Sequence, residues 1–279
     1  MKITLTLLVL IAHTITIYGQ TKAQKLKTDP LVIGEQLELK SEILNENRIL
    51  NIYLPLGYEK EAIQKYPVIY LLDGSMDEDF IHISGLVQFG SFSWINMIPE
   101  SIVVGIANVD RKRDFTYPTS NEKDKIDFPT TGGSKGFIEF IIEELQPFIT
   151  KEYNTNGTNT LIGQSLGGLL ATEILFKNPD TFDNYIIVSP SIWWDDGSLL
   201  NDSPKMYDSN KSVYIAVGKE GDIMEKAATD LFDKLNLSKR ENTNLYYSFF
   251  EKQNHGDALH LAVYDAFEKI FTQKDSIKY

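Results

Sequence analysis

Apolar residues in this chain fall into two kinds of run, and the contrast between them predicts how the elements are layered. Residues 36–43 and 49–54 are short β-type runs joined by a turn around Asn45, Glu46 and Asn47, the pattern of an opening antiparallel pair. Five later runs, 68–72, 102–106, 160–162, 185–188 and 213–217, are continuously apolar, as strands buried on both faces are. Between them lie segments with apolar residues at helical spacing: 137–149, then 166–176, which Asn178 and Pro179 stop, and 223–235. A strand over 245–250 and a helix over roughly 259–271 complete the series. Strand and helix alternate, so the pattern predicts an α/β fold with a mostly parallel eight-stranded sheet flanked by helices on both faces.

The N-terminus departs from this pattern. Met1 and Lys2 precede an apolar stretch from Ile3 to Tyr18, relieved only by threonines and His13, and Gly19 follows. This is the profile of a signal peptide over 1–19, shorter than the roughly 20 apolar residues a spanning helix needs. Residues 20–35 read as an N-terminal connector and 36–279 as a single α/β domain, with no internal repeat or interdomain linker. The expected location is therefore the periplasm or the medium, without stable membrane insertion once the leader is cleaved. His13 leaves the chemical inventory with it.

Composition narrows the partners. Apolar residues at 42% and charged residues at 24% of 279 supply a core and argue against disorder. Lys and Arg number 27 against 39 Asp and Glu, a formal charge of −12, and the basic residues are scattered. That excludes the basic footprint of a nucleic-acid binder. The absence of cysteine removes disulfides, thiolate metal ligands and a cysteine nucleophile together. An exported chain of this kind must hold itself together by core packing.

One segment carries chemistry. Residues 160–170 run from a buried strand through Gly163-Gln164-Ser165-Leu166-Gly167 directly into a helix, the setting of a nucleophile elbow. The sharp turn that lifts the serine hydroxyl out of the sheet leaves little room for flanking side chains, and Gly163 and Gly167 meet that need. A serine hydroxyl requires a base, for which histidine is suited near neutral pH. Of the four histidines, His255 sits in the polar loop 253–257 between the last strand and the last helix and is the expected base. His260 falls on a helix face, and His82 reads as a rim or surface residue. His255 and His260 are five apart rather than the four of a zinc-binding helix, and no metal or other cofactor is expected.

The base needs a carboxylate to orient it, and the loop after the strand ending at Gly218 offers Glu220 and Asp222. Glu220 is favoured because it stays close to the strand, whereas Asp222 reads as the N-cap of a helix beginning at Ile223. Serine, acid, histidine is the chain order of α/β-hydrolases. Two backbone N–H groups would complete an oxyanion hole: that of Leu166, and that of Ser75 or its neighbour in the loop after the third strand, where Gly74 lets the backbone turn.

These residues resemble the putative esterase family of α/β-hydrolases. The resemblance rests on the elbow, on Tyr70-Leu71-Leu72-Asp73-Gly74, on the run Arg111 to Thr116 followed by Pro118, on Ser189-Pro190-Ser191-Ile192-Trp193-Trp194, and on the late histidine. It points to the branch that holds esterase D and the enterochelin (ferric-siderophore) esterases, in a group that also includes feruloyl and acetyl-xylan esterases. It implies Ser165 as nucleophile and His255 as base, with the acid open between Glu220 and Asp222. Trp193 and Trp194 then fall where such folds build a substrate wall, with buried packing as the alternative. Arg111 and Arg113 are read as steering an anionic substrate, the alternative being that Arg113 braces its loop on Asp114 or Asp110. The expected activity is serine carboxylic-ester hydrolysis through an acyl-enzyme, on a small-molecule or carbohydrate-linked ester. The narrower alternatives are a siderophore trilactone esterase and a feruloyl or acetyl esterase; a binding protein that kept the hydrolase fold is the non-enzymatic one.

Overall fold

The structure, a computed structural model, describes residues 25–272, so the expected leader lies outside the described residues. Residues 25–32 form no helix or strand. From there the chain builds β1 (Gly34–Ser41), β2 (Glu46–Tyr53), β3 (Tyr66–Leu71), β4 (Ile102–Ile106), β5 (Thr155–Gln164), β6 (Asn184–Val188), β7 (Lys211–Gly218) and β8 (Thr243–Phe250). They form an 8-stranded sheet in the order β1-β2-β4-β3-β5-β6-β7-β8, the α/β-hydrolase arrangement. β2 runs antiparallel to both β1 and β4, and the other neighbours pair in parallel. The continuous apolar runs behave as expected: β3, β4, β6 and β7 are buried at every residue. The first hairpin turns earlier than the sequence suggests. Glu46 and Asn47 already pair with Ser41 and Lys40, and Asn45 alone of the expected turn residues takes a left-handed φ of 52°.

Helices cover both faces of the sheet. On one face lie α1 (Phe80–Gly90) and α8 (Ala258–Phe271), which enclose Ile69 and Leu71 of β3 with Ile162 and Ile186. On the other face α4 (Ser134–Phe140), α5 (Gln146–Glu152), α6 (Leu166–Lys177) and α7 (Asp222–Leu237) pack on Val68, Tyr70, Leu161 and Ile215. Alternate residues of one strand thus feed two separate cores, which is why these strands cannot show a polar face. The helix predicted over 137–149 is interrupted: Ile141–Leu145 form a π turn between α4 and α5. Pro147, which lacks an N–H and crowds the preceding turn, follows directly. Two short helices, α2 (Arg111–Phe115) and α3 (Glu122–Asp127), shape the segment after β4, and after β6 the segment Trp194–Asn201 is broken by a kink at Asp195, Asp196 and Gly197, all at positive φ.

Candidate active site

β5 ends at Gln164 and α6 begins at Leu166, so Ser165 alone makes the turn. Its φ of 60° and ψ of −120° are strained for a residue with a side chain, the mark of a backbone held by its surroundings for function. The glycine requirement is steric: a Cβ at Gly163 would stand 2.4 Å from the Gly167 carbonyl oxygen. The buried helix α6 directs its N-terminal N–H groups, Leu166 among them, toward the turn. Ser165 Oγ lies 3.4 Å from Ser191 Oγ, and the Ser191 N–H donates to the Ser165 carbonyl at 3.0 Å.

The loop after β8 brings His255 to the same edge of the sheet. Gln164 Nε2, one residue before the serine, donates to the His255 carbonyl at 2.6 Å. On the imidazole itself, Nδ1 lies 2.6 Å from Glu220 Oε2. The Glu220 side chain is 1% exposed, and its other oxygen accepts from the Ser189 hydroxyl at 2.5 Å and the Gly218 N–H at 2.9 Å. Burial pushes this carboxyl up, but the hydrogen bonds from His255, Ser189 and Gly218 outweigh it and hold it below the usual carboxylate range. The acid and base loops are also tied directly, since the Lys219 N–H donates to the Gln253 carbonyl at 2.6 Å.

Asp222 is not the expected N-cap. α7 already includes it, and Gly221, at φ 88°, occupies the cap position. The loop N–H groups are held by Glu225, whose carboxylate accepts from Glu220 N at 3.1 Å and Gly221 N at 2.9 Å. Asp222 itself is exposed and takes part in none of the described side-chain hydrogen bonds.

The second donor loop also differs in detail from its sequence reading. Asp73, at φ 55°, makes the left-handed turn expected of Gly74. Gly74 is required instead by close approach, because a Cβ there would stand 2.4 Å from Gly105 Cα. Buried Asn51 on β2 donates to the Gly74 carbonyl at 2.8 Å. The Ser75 N–H faces Glu78 Oε2 at 3.3 Å.

Arg111 grips Asp73 with two hydrogen bonds, from Nε at 2.6 Å and Nη2 at 2.8 Å, and Nη2 also reaches the Gln164 carbonyl at 3.3 Å. It therefore lies beside the site as expected, bridging the donor loop and the elbow, with its charge matched by Asp73. Arg113 does not face the site as an anion-steering residue. It donates to Asp114 at 2.7 Å and to both oxygens of Glu46 at 3.0 and 2.6 Å, carboxylates that also hold the buried Arg48.

The tryptophans divide. Trp194 is fully buried, and its Nε1 donates to the Tyr117 carbonyl at 3.0 Å, so it is core and not substrate wall. Trp193 is half-buried against Phe128, with ring centroids 6.1 Å apart. His82 of α1 and His260 of α8 lie ring against ring, centroids 3.7 Å apart and planes tilted by 40°, and burial together with His260 lowers the pKa of His82. The sequence does not single out Gln164, Ser189, Ser191 or Asn51 as site residues. The two serines lie inside a motif that carries the resemblance, whereas Asn51 has no local signal.

A family model described as Putative esterase matches residues 41–272. Ferri-bacillibactin esterase BesA of Bacillus subtilis (strain 168) is 29% identical over 242 residues, 78% of this chain and 83% of that protein. Siderophore triacetylfusarinine C esterase of Aspergillus fumigatus is 26% identical over 77% of this chain and 78% of its own length. Among solved structures, an IroE-like serine hydrolase from Shewanella oneidensis has a TM-score of 0.77 at 29% identity, covering 85% of this chain and 80% of that one. A BES protein from Bacillus cereus reaches 0.76 at 27% identity, over 90% of this chain and 100% of that one.

Proposed function

Since this chain belongs to the Putative esterase family of α/β-hydrolases and is an esterase, we propose that it cleaves the ester linkages of a siderophore through a Ser165, His255 and Glu220 triad. The observation that carries the triad is the buried Glu220 carboxylate on His255 Nδ1 at 2.6 Å. With Nδ1 engaged as donor, Nε2 is left as the acceptor for the serine proton, and the carboxylate balances the imidazolium that forms.

Ser165 Oγ attacks the ester carbonyl while its proton passes to Nε2. The oxyanion accepts hydrogen bonds from the N–H of Leu166 and, once Glu78 gives it up, from that of Ser75. The departing alcohol takes the proton from His255, and water repeats the sequence on the acyl-enzyme. In the resting site Ser165 Oγ pairs with Ser191, so the serine–imidazole contact must tighten as substrate enters. The substrate class is supported by the relatives, which include a ferri-bacillibactin esterase and a triacetylfusarinine C esterase. Activity outside the cytoplasm is part of the same proposal, supported by the apolar leader over residues 1–19.

The test is a fluorophosphonate probe together with a panel of siderophore esters and short acyl esters. Wild-type protein is expected to be labelled and to turn over a siderophore ester faster than a feruloyl or acetyl ester. Ser165→Ala should lose labelling and about 10⁴-fold or more in kcat. Retention of more than a few per cent of turnover by that variant would remove Ser165 from the mechanism.

A further inference from the structure

We propose that Ser189 is a positioning residue of the triad, whose hydroxyl holds the Glu220 carboxylate in the orientation that serves His255; the inference rests on the triad reading above. Along the sheet, β5, β6, β7 and β8 are successive parallel neighbours. Ser165 follows the first of them, Glu220 the third and His255 the fourth. Ser189 follows β6, so it stands at the same edge, between the strand that carries the nucleophile and the strand that carries the acid.

The backbone at Ser189 shows that a side chain is wanted there. Its φ of 45° is a left-handed conformation that glycine adopts freely and serine only under strain. Among the described residues the other serine at positive φ is the nucleophile itself. Ser189 is also fully buried, where a hydroxyl without a partner is unfavourable. Glycine would remove both difficulties, yet serine occupies the position, and its hydroxyl donates to Glu220 Oε1 at 2.5 Å. The Ser189 N–H donates to the Ala216 carbonyl of β7 at 2.7 Å, which ties the residue to the strand that leads to the acid.

A glutamate needs such a hold more than an aspartate does, because one more torsion separates its carboxylate from the backbone. Glu225 accepts from the Glu220 N–H at 3.1 Å, but that fixes the loop and not the tip of the side chain. At the tip, Oε1 accepts from Ser189 Oγ and from the Gly218 N–H at 2.9 Å, which leaves Oε2 to face His255 Nδ1 at 2.6 Å. One donor would let the carboxylate turn about that contact. Two donors from different directions hold it, and a hydroxyl on a carboxylate is a charge-assisted bond. At 0% exposure Ser189 is out of reach of substrate, so any effect it has on the reaction runs through Glu220.

The experiment uses the full chain, with 4-nitrophenyl acetate as the ester, and compares wild type, Ser189→Gly, Ser189→Ala, Glu220→Gln and the double variant Ser189→Gly/Glu220→Gln by kcat, KM and Tm. Both Ser189 variants are expected to lose about tenfold or more in kcat with KM within about twofold of wild type, because the lost group orients the base and binds nothing. Their Tm values should part. Ser189→Gly should stay close to wild type, since released strain offsets the lost hydrogen bond, whereas Ser189→Ala keeps the strain and should melt lower. Beside Glu220→Gln, the glycine change should cost less than about twofold in kcat, as its partner is already gone. Wild-type kcat in both Ser189 variants overturns the positioning role and leaves the triad in place. So does a kcat loss that follows Tm from variant to variant, or one that persists in full beside Glu220→Gln. A near-normal Glu220→Gln, or a wild-type protein that does not cleave the ester, overturns the triad or esterase reading and this inference with it.

Discussion

Glu220 and Asp222 are two residues apart and chemically alike, yet the fold separates them completely. Glu220 is 1% exposed with three donors around its carboxylate, and Asp222 is exposed on the first turn of α7. Glu220→Gln is expected to lower kcat by hundreds-fold or more, because the amide can neither fix the imidazole tautomer nor balance its charge. Asp222→Asn should be nearly silent, since no described hydrogen bond depends on it. Single-variant kcat values on one ester check both, and the reverse ranking would transfer the role. Asp79 carries a pH dependence, because its carboxyl titrates at about 6 in the fold against an ordinary 3.8. The folded state binds this proton more tightly than the unfolded chain does, so stability falls as pH rises from about 4 to 6 and the penalty is full above that. Asp79→Asn should therefore gain about 1–2 kcal/mol at pH 7 once solvent screening of this half-buried group is allowed for, with part of the gain offset by the α1 dipole that favours a negative charge there. Urea denaturation near pH 4 should show the gain gone; a gain independent of pH would place its origin elsewhere.

At the scale of elements, adjacent tryptophans in the segment after β6 have different fates. Trp194 is fully buried beneath Tyr117 and Phe128, which come from the segment after β4, while Trp193 stays half-buried. Trp194→Ala should cost about 3–5 kcal/mol of stability and lower the rate on every ester alike. Trp193→Ala should leave Tm close to wild type and raise KM for bulky esters more than for an acetyl ester. Thermal unfolding run beside the ester panel separates the two, and a large Tm loss for Trp193→Ala would make it core as well. The helix α1 escapes a periodicity reading for a related reason. Its buried Phe80, Ile83 and Val87 are interleaved with Ile81, Leu86 and Phe89, so no clean polar face shows along the sequence. The buried set nonetheless follows helical spacing, and with α8 it covers one face of the sheet.

For the molecule as a whole, the parallel direction of β5 to β8 puts the loops that follow them on one edge of the sheet. Ser165, Glu220 and His255 each lie in the segment after one of those strands, so a reading of strand order from the sequence already brings them together. What the amino-acid sequence determined by itself is local: the continuous apolar strands, the helices of regular spacing, the Gly163 to Gly167 elbow and the histidine loop. Each depends on periodicity or turn sterics within a few residues. The tertiary structure alone decided which acid contacts His255, which tryptophan is buried, and which carboxylates the arginines pair with. Those outcomes depend on partners 35 residues away for Glu220 and His255, 77 for Tyr117 and Trp194, 38 for Asp73 and Arg111, and 67 for Glu46 and Arg113. The physical reason is that burial and charge pairing are settled by whichever side chains the sheet order brings into contact, and no window along the chain contains both members of such a pair.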